Sequence, residues 1–406
     1  MKALLALLTL FFVAKGAMAQ TAKRIALKPS ENAQKEIQSA LIKAADGDTL
    51  VFASGTYKFK AGLSMEGKSN VALVGEGNDK TILSFSGQTT GAEGLIIKNG
   101  KNILLKNFAV EESKGDAIKV QEVDGITFEG VRVEWLGEPD SGNGAYGLYP
   151  VTCQNILIDK CIARGASDAG IYVGQSKNIV VKNCLAEKNV AGIEIENSLH
   201  ADVFDNVATH NAGGILVFDM PGLTIKNGGY VRVFNNKSFK NNHPNFAPAG
   251  NIVGMVPAGT GVIIMACSNV EIFDNVIEDN ATMNMAIASF DVTQKPVTDP
   301  EYVSYPSAIY VYNNKFKQDR NLNADETRML GQAVAMLRTE QKMFPDVIYD
   351  GMINTSLLTN GKLPSDKRIC LQNNGNIMFL NLKELSMDIT EHNCELKKNE
   401  QVILKR

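Results

Sequence analysis

Ala169-Gly170-Ile171-Tyr172-Val173 and Ala191-Gly192-Ile193-Glu194-Ile195 are one short strand written twice. Working outward, the same strand recurs as Asp116-Ala117-Ile118-Lys119-Val120, Tyr146-Gly147-Leu148-Tyr149-Pro150 and Gly213-Gly214-Ile215-Leu216-Val217. A second strand keeps phase with it: Asn102-Ile103-Leu104-Leu105, Gly125-Ile126-Thr127-Phe128, Asn155-Ile156-Leu157-Ile158 and Asn178-Ile179-Val180-Val181. Its steps, about 23, 30 and 23 residues, fall in the range of solenoid repeats. Strict alternation sends one side chain inward and the next outward. Gly, Asn and Asp turns join the strands, and no crossover helix separates the units, which excludes a doubly wound sheet. One period is therefore one coil of a parallel β-helix, each strand pairing with its counterpart one coil on at about 4.8 Å.

Smaller regularities follow from this frame. Asparagines recur at one turn, in Asp205-Asn206, Asn235-Asn236, Asp274-Asn275 and Asn313-Asn314, and predict a stacked amide ladder that satisfies turn backbone groups. Cys161 and Cys184 occupy equivalent positions and read as buried thiols, whereas Cys370 and Cys394 flank the C-terminal segment and are the expected disulfide. A solenoid needs its ends covered. Ser30 is placed to cap a helix from about Glu31 to Ala45, with Ala33, Ile37, Ala40, Leu41 and Ala44 on one face and Gly47 ending it. At the far end Asp325 to Gln341 reads as a second helix. The expected organisation is a signal peptide over 1–19, a β-helix with its N-terminal cap over 20–318, and a C-terminal helix with a disulfide-closed tail over 319–406.

Lys2, the apolar run Ala3 to Val13 and the small-x-small signal Ala17-Met18-Ala19 form that signal peptide. Lys15 interrupts the run too early for a membrane span, so the mature chain is expected in the periplasm or outside the cell. The formal net charge of −3 offers no basic field, which argues against nucleic acid as a partner.

The helix, Gly47-Asp48-Thr49-Leu50, Ser54-Gly55-Thr56-Tyr57 and the Gly-Ile-x-Val coils resemble the pectin-lyase-like superfamily from about Ser30 to Phe316. More narrowly, Ser167 to Ser176, the Asn245-Phe246-Ala247-Pro248 loop and the long tail resemble a family of exported bacterial parallel β-helix repeat proteins. The resemblance implies a right-handed helix. It implies no single activity, because the superfamily holds lyases, hydrolases, epimerases, adhesins and maturation factors. Tyr146-Gly147-Leu148-Tyr149-Pro150-Val151 is similar to the Tyr-Gly-x-Asp-Pro-His signature of mannuronan epimerases, with Tyr149 in place of the Asp and Val151 in place of the His.

Outward residues of successive coils stack into columns. One column holds Ile96, Lys119, Tyr149, Tyr172, Glu194, Leu216 and Ile263, and its neighbour Lys98, Gln121, Val151, Gly174, Glu196, Phe218 and Met265. Two longer segments, Glu134 to Ser141 and Asn241 to Thr260, are expected to wall this face into a groove. Proton transfer beside a uronate carboxylate needs a base, an acid and a cation. Lys119, Tyr149, Tyr172 and Glu194 are the catalytic candidates on that ground, with Lys119 lowering a phenol pKa. Lys98, Gln121, Trp135, Tyr146, Asp168 and Glu196 are the substrate-binding candidates. Hydrolysis would instead use paired carboxylates, for which Asp116 with Asp168, or Glu194 with Glu196, are available. His200, His210, His243 and His392 lack ligand spacing, so neither metal nor cofactor is expected. The expected function is recognition or processing of an extracellular or cell-envelope polysaccharide, as a uronate lyase or epimerase if it is an enzyme. The alternative is a non-enzymatic scaffold that docks another exported protein on an apolar patch of Leu216, Phe218, Ile263 and Met265.

Overall fold

The computed structural model describes residues 22–405; the expected signal peptide lies outside them. A typical coil has three strands, Ala169–Gly174, Lys177–Lys182 and Leu185–Glu187, and the next begins at Ala191–Glu196. Every strand pairs in parallel with its equivalents one coil away, building sheets of eleven, twelve and ten strands respectively. Ile171 faces Ile193, which faces Ile215, and Ile179 faces Ala201. The inward members of these pairs form one continuous apolar core from Leu27 to Phe379. Register is fixed because a slip of one residue would exchange every core side chain for an outward one.

The expected amide ladder is present. Asn206 Nδ2 donates to Asn236 Oδ1 at 3.0 Å, Asn236 to Asn275 at 3.0 Å and Asn275 to Asn314 at 2.9 Å. Asn374 extends it. Cys184, one coil before Asn206, occupies the same turn position, and its backbone N–H donates to Asn206 Oδ1. Cys161 and Cys184 are buried thiols, as expected. A second ladder, Asn189, Asn211, Asn241 and Asn280, lines the next turn. Asn236→Ala takes the amide partner from Val203 O, from the Asn206 N–H and from Asn206 Nδ2 in a buried turn, while Asn275 Oδ1 keeps the Asn236 backbone N–H. At about 1–3 kcal/mol for each orphaned group, we expect a loss of about 3 kcal/mol or more, measured by urea unfolding against wild type.

At the N-terminal end the helix spans Ala33–Lys43 and buries Ala33, Ile37 and Leu41. Its N-cap is Asn32. Ser30, expected in that role, instead accepts the Asn32 N–H and donates to Glu36. The second helix starts at Met329, later than expected, and ends at Glu340. Asp325 does not open it, because its carboxylate is turned to the backbone of Ala258 and Thr327.

Residues 319–406, expected as a C-terminal helix with a disulfide-closed tail, also add strands to the solenoid. Val347–Tyr349 and Ile369–Gln372 add strands to the eleven- and twelve-stranded sheets, and Phe379–Asn381 follows Val347–Tyr349. The expected Cys370–Cys394 disulfide is formed. Beyond it the chain doubles back as a strap across the twelve-stranded sheet. Asn399 Nδ2 donates to Asn269 O at 2.8 Å, Val402 N to Asp202 Oδ2 at 3.1 Å and Lys405 N to Asn155 Oδ1 at 3.3 Å.

Candidate active site on the eleven-stranded sheet

The two outward columns run in the expected register: Ile96, Lys119 and Tyr149 face in sequence, as do Tyr172, Glu194, Leu216 and Ile263, with Glu196, Phe218 and Met265 beside them. At their centre three tyrosines pack together. Tyr146 lies 4.5 Å from both Tyr149 and Tyr172, and Tyr149 meets Tyr172 at 5.0 Å, centroid to centroid. Carboxylates surround the rings. Tyr172 Oη donates to Glu196 Oε1 at 2.7 Å, and Tyr146 Oη to Asp168 Oδ2 at 3.4 Å. Glu194 is buried beside them, and its Oε2 has no partner.

Low dielectric and crowding of like charge set the protonation here. Burial, then the charge of Glu196, pushes Asp168 up to about 7. Glu194 is driven well above the carboxylate range by burial, then by Asp168 and Glu196. Burial also raises Glu196, but the Tyr172 hydroxyl opposes the rise by hydrogen-bonding its ionised form. Two neighbouring acids join the field: Asp116 is raised to about 6 and Asp219 to about 7, both chiefly by burial.

The phenols cannot serve as easily ionised bases. Burial and the nearby carboxylates push Tyr149 up to about 12 and raise Tyr146 and Tyr172 further. Lys119 does not lower them, contrary to expectation. Its Nζ lies 4.8 Å above the face of the Tyr149 ring and 4.0 Å from Glu93 Oε1. Glu196, not Glu194, holds the Tyr172 hydroxyl. Trp135 does not reach the groove: it is buried in the core and its indole N–H donates to Ser113 O at 2.7 Å. Lys98 and Gln121 lie in the second column but away from the acids, and Gln121 donates to Glu122.

The loop from Asn241 walls the face as expected. Asn251 Nδ2 reaches Asp168 Oδ2 at 3.2 Å. Val253 and Val256 from the same loop, with Val334 from the second helix, cover Leu216, Phe218, Ile263 and Met265. The apolar patch expected to dock an exported partner is thus closed by the chain itself. Among the described residues no three His, Cys, Asp or Glu are grouped to hold a metal ion, and no helix is long and apolar enough to cross a membrane.

Sequence reasoning missed Glu93, Asp219 and Asn251. Asp219 follows the last residue of its strand and accepts the Asn227 and Gly228 N–H groups at 3.0 and 2.9 Å. Only the folded loop shows that, because a turn Asp usually bonds local backbone in this way.

Residues 93–227 match the family model of the right-handed β-helix region. The fold is a right-handed parallel β-helix. The pre-neck appendage protein of Bacillus phage B103 is 24% identical over an alignment of 197 positions that covers 39% of this chain and 23% of the phage protein. The match thus spans less than a quarter of that relative's length. A DFA-IIIase from Arthrobacter chlorophenolicus, solved in complex with GF2, superposes with a TM-score of 0.55 at 11% identity, over 89% of each chain. The A-module of an Azotobacter vinelandii mannuronan C-5 epimerase gives a TM-score of 0.50 at 13% identity, over 89% of this chain and 96% of that module. At these identities the likeness is one of fold.

Proposed function

We propose that this β-helix binds an extracellular or cell-envelope polysaccharide along the eleven-stranded sheet and cleaves a glycosidic bond there by acid–base catalysis. One observation carries the reading: Asp168 and Glu196 are buried on the same tyrosine cluster, Asp168 accepting from Tyr146 and Asn251 and Glu196 from Tyr172. Burial raises both, Asp168 to about 7, and the charge of Glu196 favours the proton on Asp168. One acid and one carboxylate at the same pH are what glycoside cleavage requires. Asp168 donates the proton to the leaving oxygen, and Glu196 acts on the sugar or on water. Tyr146 and Tyr172 are positioning residues, and Tyr149 with Lys119 forms the flank of the groove. Substrate entry breaks the single Asn251–Asp168 hydrogen bond.

Uronate elimination or epimerisation has less support. The buried acids at the centre give a uronate carboxylate no counter-charge, and Lys119 is engaged with Glu93 and the Tyr149 ring. A neutral glycan is the better substrate class. Export is part of the proposal, motivated by the N-terminal signal pattern and by Cys370–Cys394, since disulfides persist in oxidising compartments.

The test is incubation with neutral glucans and fructans and with alginate and pectate, reading new reducing ends and new unsaturated ends separately. Reducing ends from a neutral glycan, fastest at mildly acidic pH where Asp168 keeps its proton, are expected. Unsaturated ends from a uronate would replace hydrolysis by elimination, and inertness on all of them removes the catalytic reading.

A further inference from the structure

Eight successive strands of the twelve-stranded sheet have a residue with left-handed backbone at their second position. In register along the solenoid this position is Asn102, Gly125, Asn155, Asn178, His200, Tyr230, Asn269 and Ala308. All have positive φ, from 51° at Asn102 to 81° at Gly125, with His200 at 60° and Tyr230 at 57°. Asn, Gly and His suit such a backbone, whereas a bulky Tyr there is an outlier. Two adjacent coils place rings at it. An observed outlier of this kind points toward function.

What the rings do is visible beside them. His200 and Tyr230 stack at 5.0 Å with 16° between planes, and Tyr230 is 44% exposed. The column then drops in size to Asn269 and Ala308. That step forms a cavity of about 530 Å³, whose remaining wall includes Asp366 and strap residues such as Lys398. Its volume is within the range of small-molecule sites, about 300–1,000 Å³. One ring face is spent on His200, so the other is available to a ligand. The rim mixes amide, carboxylate and ammonium groups without a dominant sign, which suits a ring bearing many hydroxyls better than a strong anion or cation.

The geometry points to a second saccharide-binding site, in which a neutral pyranose ring stacks on Tyr230 and hydrogen-bonds to Asn269, Asp366 and Lys398. It lies on a different sheet from the carboxylate groove and does not depend on catalysis there. A polymer held at both faces is retained between cleavage events, and the gain comes from effective concentration rather than from new contacts at the groove.

The test is calorimetric titration of the full mature protein with a neutral β-1,4-glucan hexasaccharide and a β-1,4-uronate hexasaccharide, using wild type, Tyr230→Asn, Tyr230→Phe and Glu196→Gln. Wild type and Glu196→Gln are expected to bind the neutral hexasaccharide at this site, with Tyr230→Asn at least tenfold weaker and Tyr230→Phe close to wild type. Tyr230→Asn should also keep or raise Tm, because Asn suits the left-handed position that Tyr strains. Three results overturn the site: no binding of either hexasaccharide at millimolar concentration, binding unchanged by Tyr230→Asn, or a preference for the uronate. A fall in Tm of more than about 3 °C with binding intact would make the stacked pair purely structural. Loss of binding in Glu196→Gln with Tyr230→Asn unaffected would place the sugar in the groove alone.

Discussion

Glu196→Gln protein should fold as wild type does and lose glycan cleavage by a factor of at least a hundred. The amide keeps an oxygen for the Tyr172 hydroxyl, which donates at 2.7 Å, and it removes the negative charge that raises both Asp168 and Glu194. Stability is therefore expected to hold or rise. The lost function is different in kind, because an amide cannot take a proton or attack an anomeric carbon. Removal of one such group costs about two to four orders of magnitude in rate. Lys119→Met is the contrasting variant. Its ammonium lies over a tyrosine face and near Glu93, so a change of only a few-fold is expected. Initial rates of reducing-end release, measured beside urea unfolding curves, separate the two. Full activity in Glu196→Gln, or a hundredfold loss in Lys119→Met at unchanged stability, would return the chemistry to the lysine.

The contrast between these variants shows where the sequence was informative. Repeat spacing exposed the coils, the amide ladder and the outward columns, because strand alternation and coil register are local rules repeated many times. Tyr149, Tyr172, Glu194 and Glu196 were placed on one face for that reason. Their roles were less accessible, since a role depends on how far each side chain is removed from water and which neighbour it meets. Column order put Lys119 next to Tyr149, but not its ammonium over the ring face rather than at the phenol oxygen. Trp135 lies on a long segment that alternation does not govern, and its indole found Ser113 in the interior. Asn251 is 83 residues from Asp168, and no periodicity links a loop residue to the column it covers. The same limit applied to the C-terminal residues. Val347–Tyr349 and Ile369–Gln372 are coil strands separated by irregular chain, so the repeat could not be counted through them.

Wild-type protein is expected to lose stability as pH rises from about 4 to 8, and Asp168→Asn should remove much of that loss. The sign follows from where the proton resides. Asp168 titrates at about 7 in the folded protein against an ordinary value of 3.8. Between those values the unfolded chain has released its proton while the folded chain retains it, so folding binds protons and stability falls with rising pH. The contribution is fully present below the unfolded pKa and is lost as pH passes through the folded one. A separation of about three units corresponds to roughly 4 kcal/mol at most, and Asp219 adds to the same slope. Asparagine keeps an oxygen for Tyr146 and Asn251 and carries no charge at any pH. At pH 4 the two proteins should therefore unfold at similar urea concentrations, and at pH 8 the variant should be more stable by about 2 kcal/mol or more. A gap independent of pH, or a wild type that gains stability towards pH 8, would show that Asp168 is ionised at little cost and is not the acid of the pair. Should the gap open as expected while cleavage is lost, the buried acid is a group kept for function against the stability of the fold, a trade common at active sites.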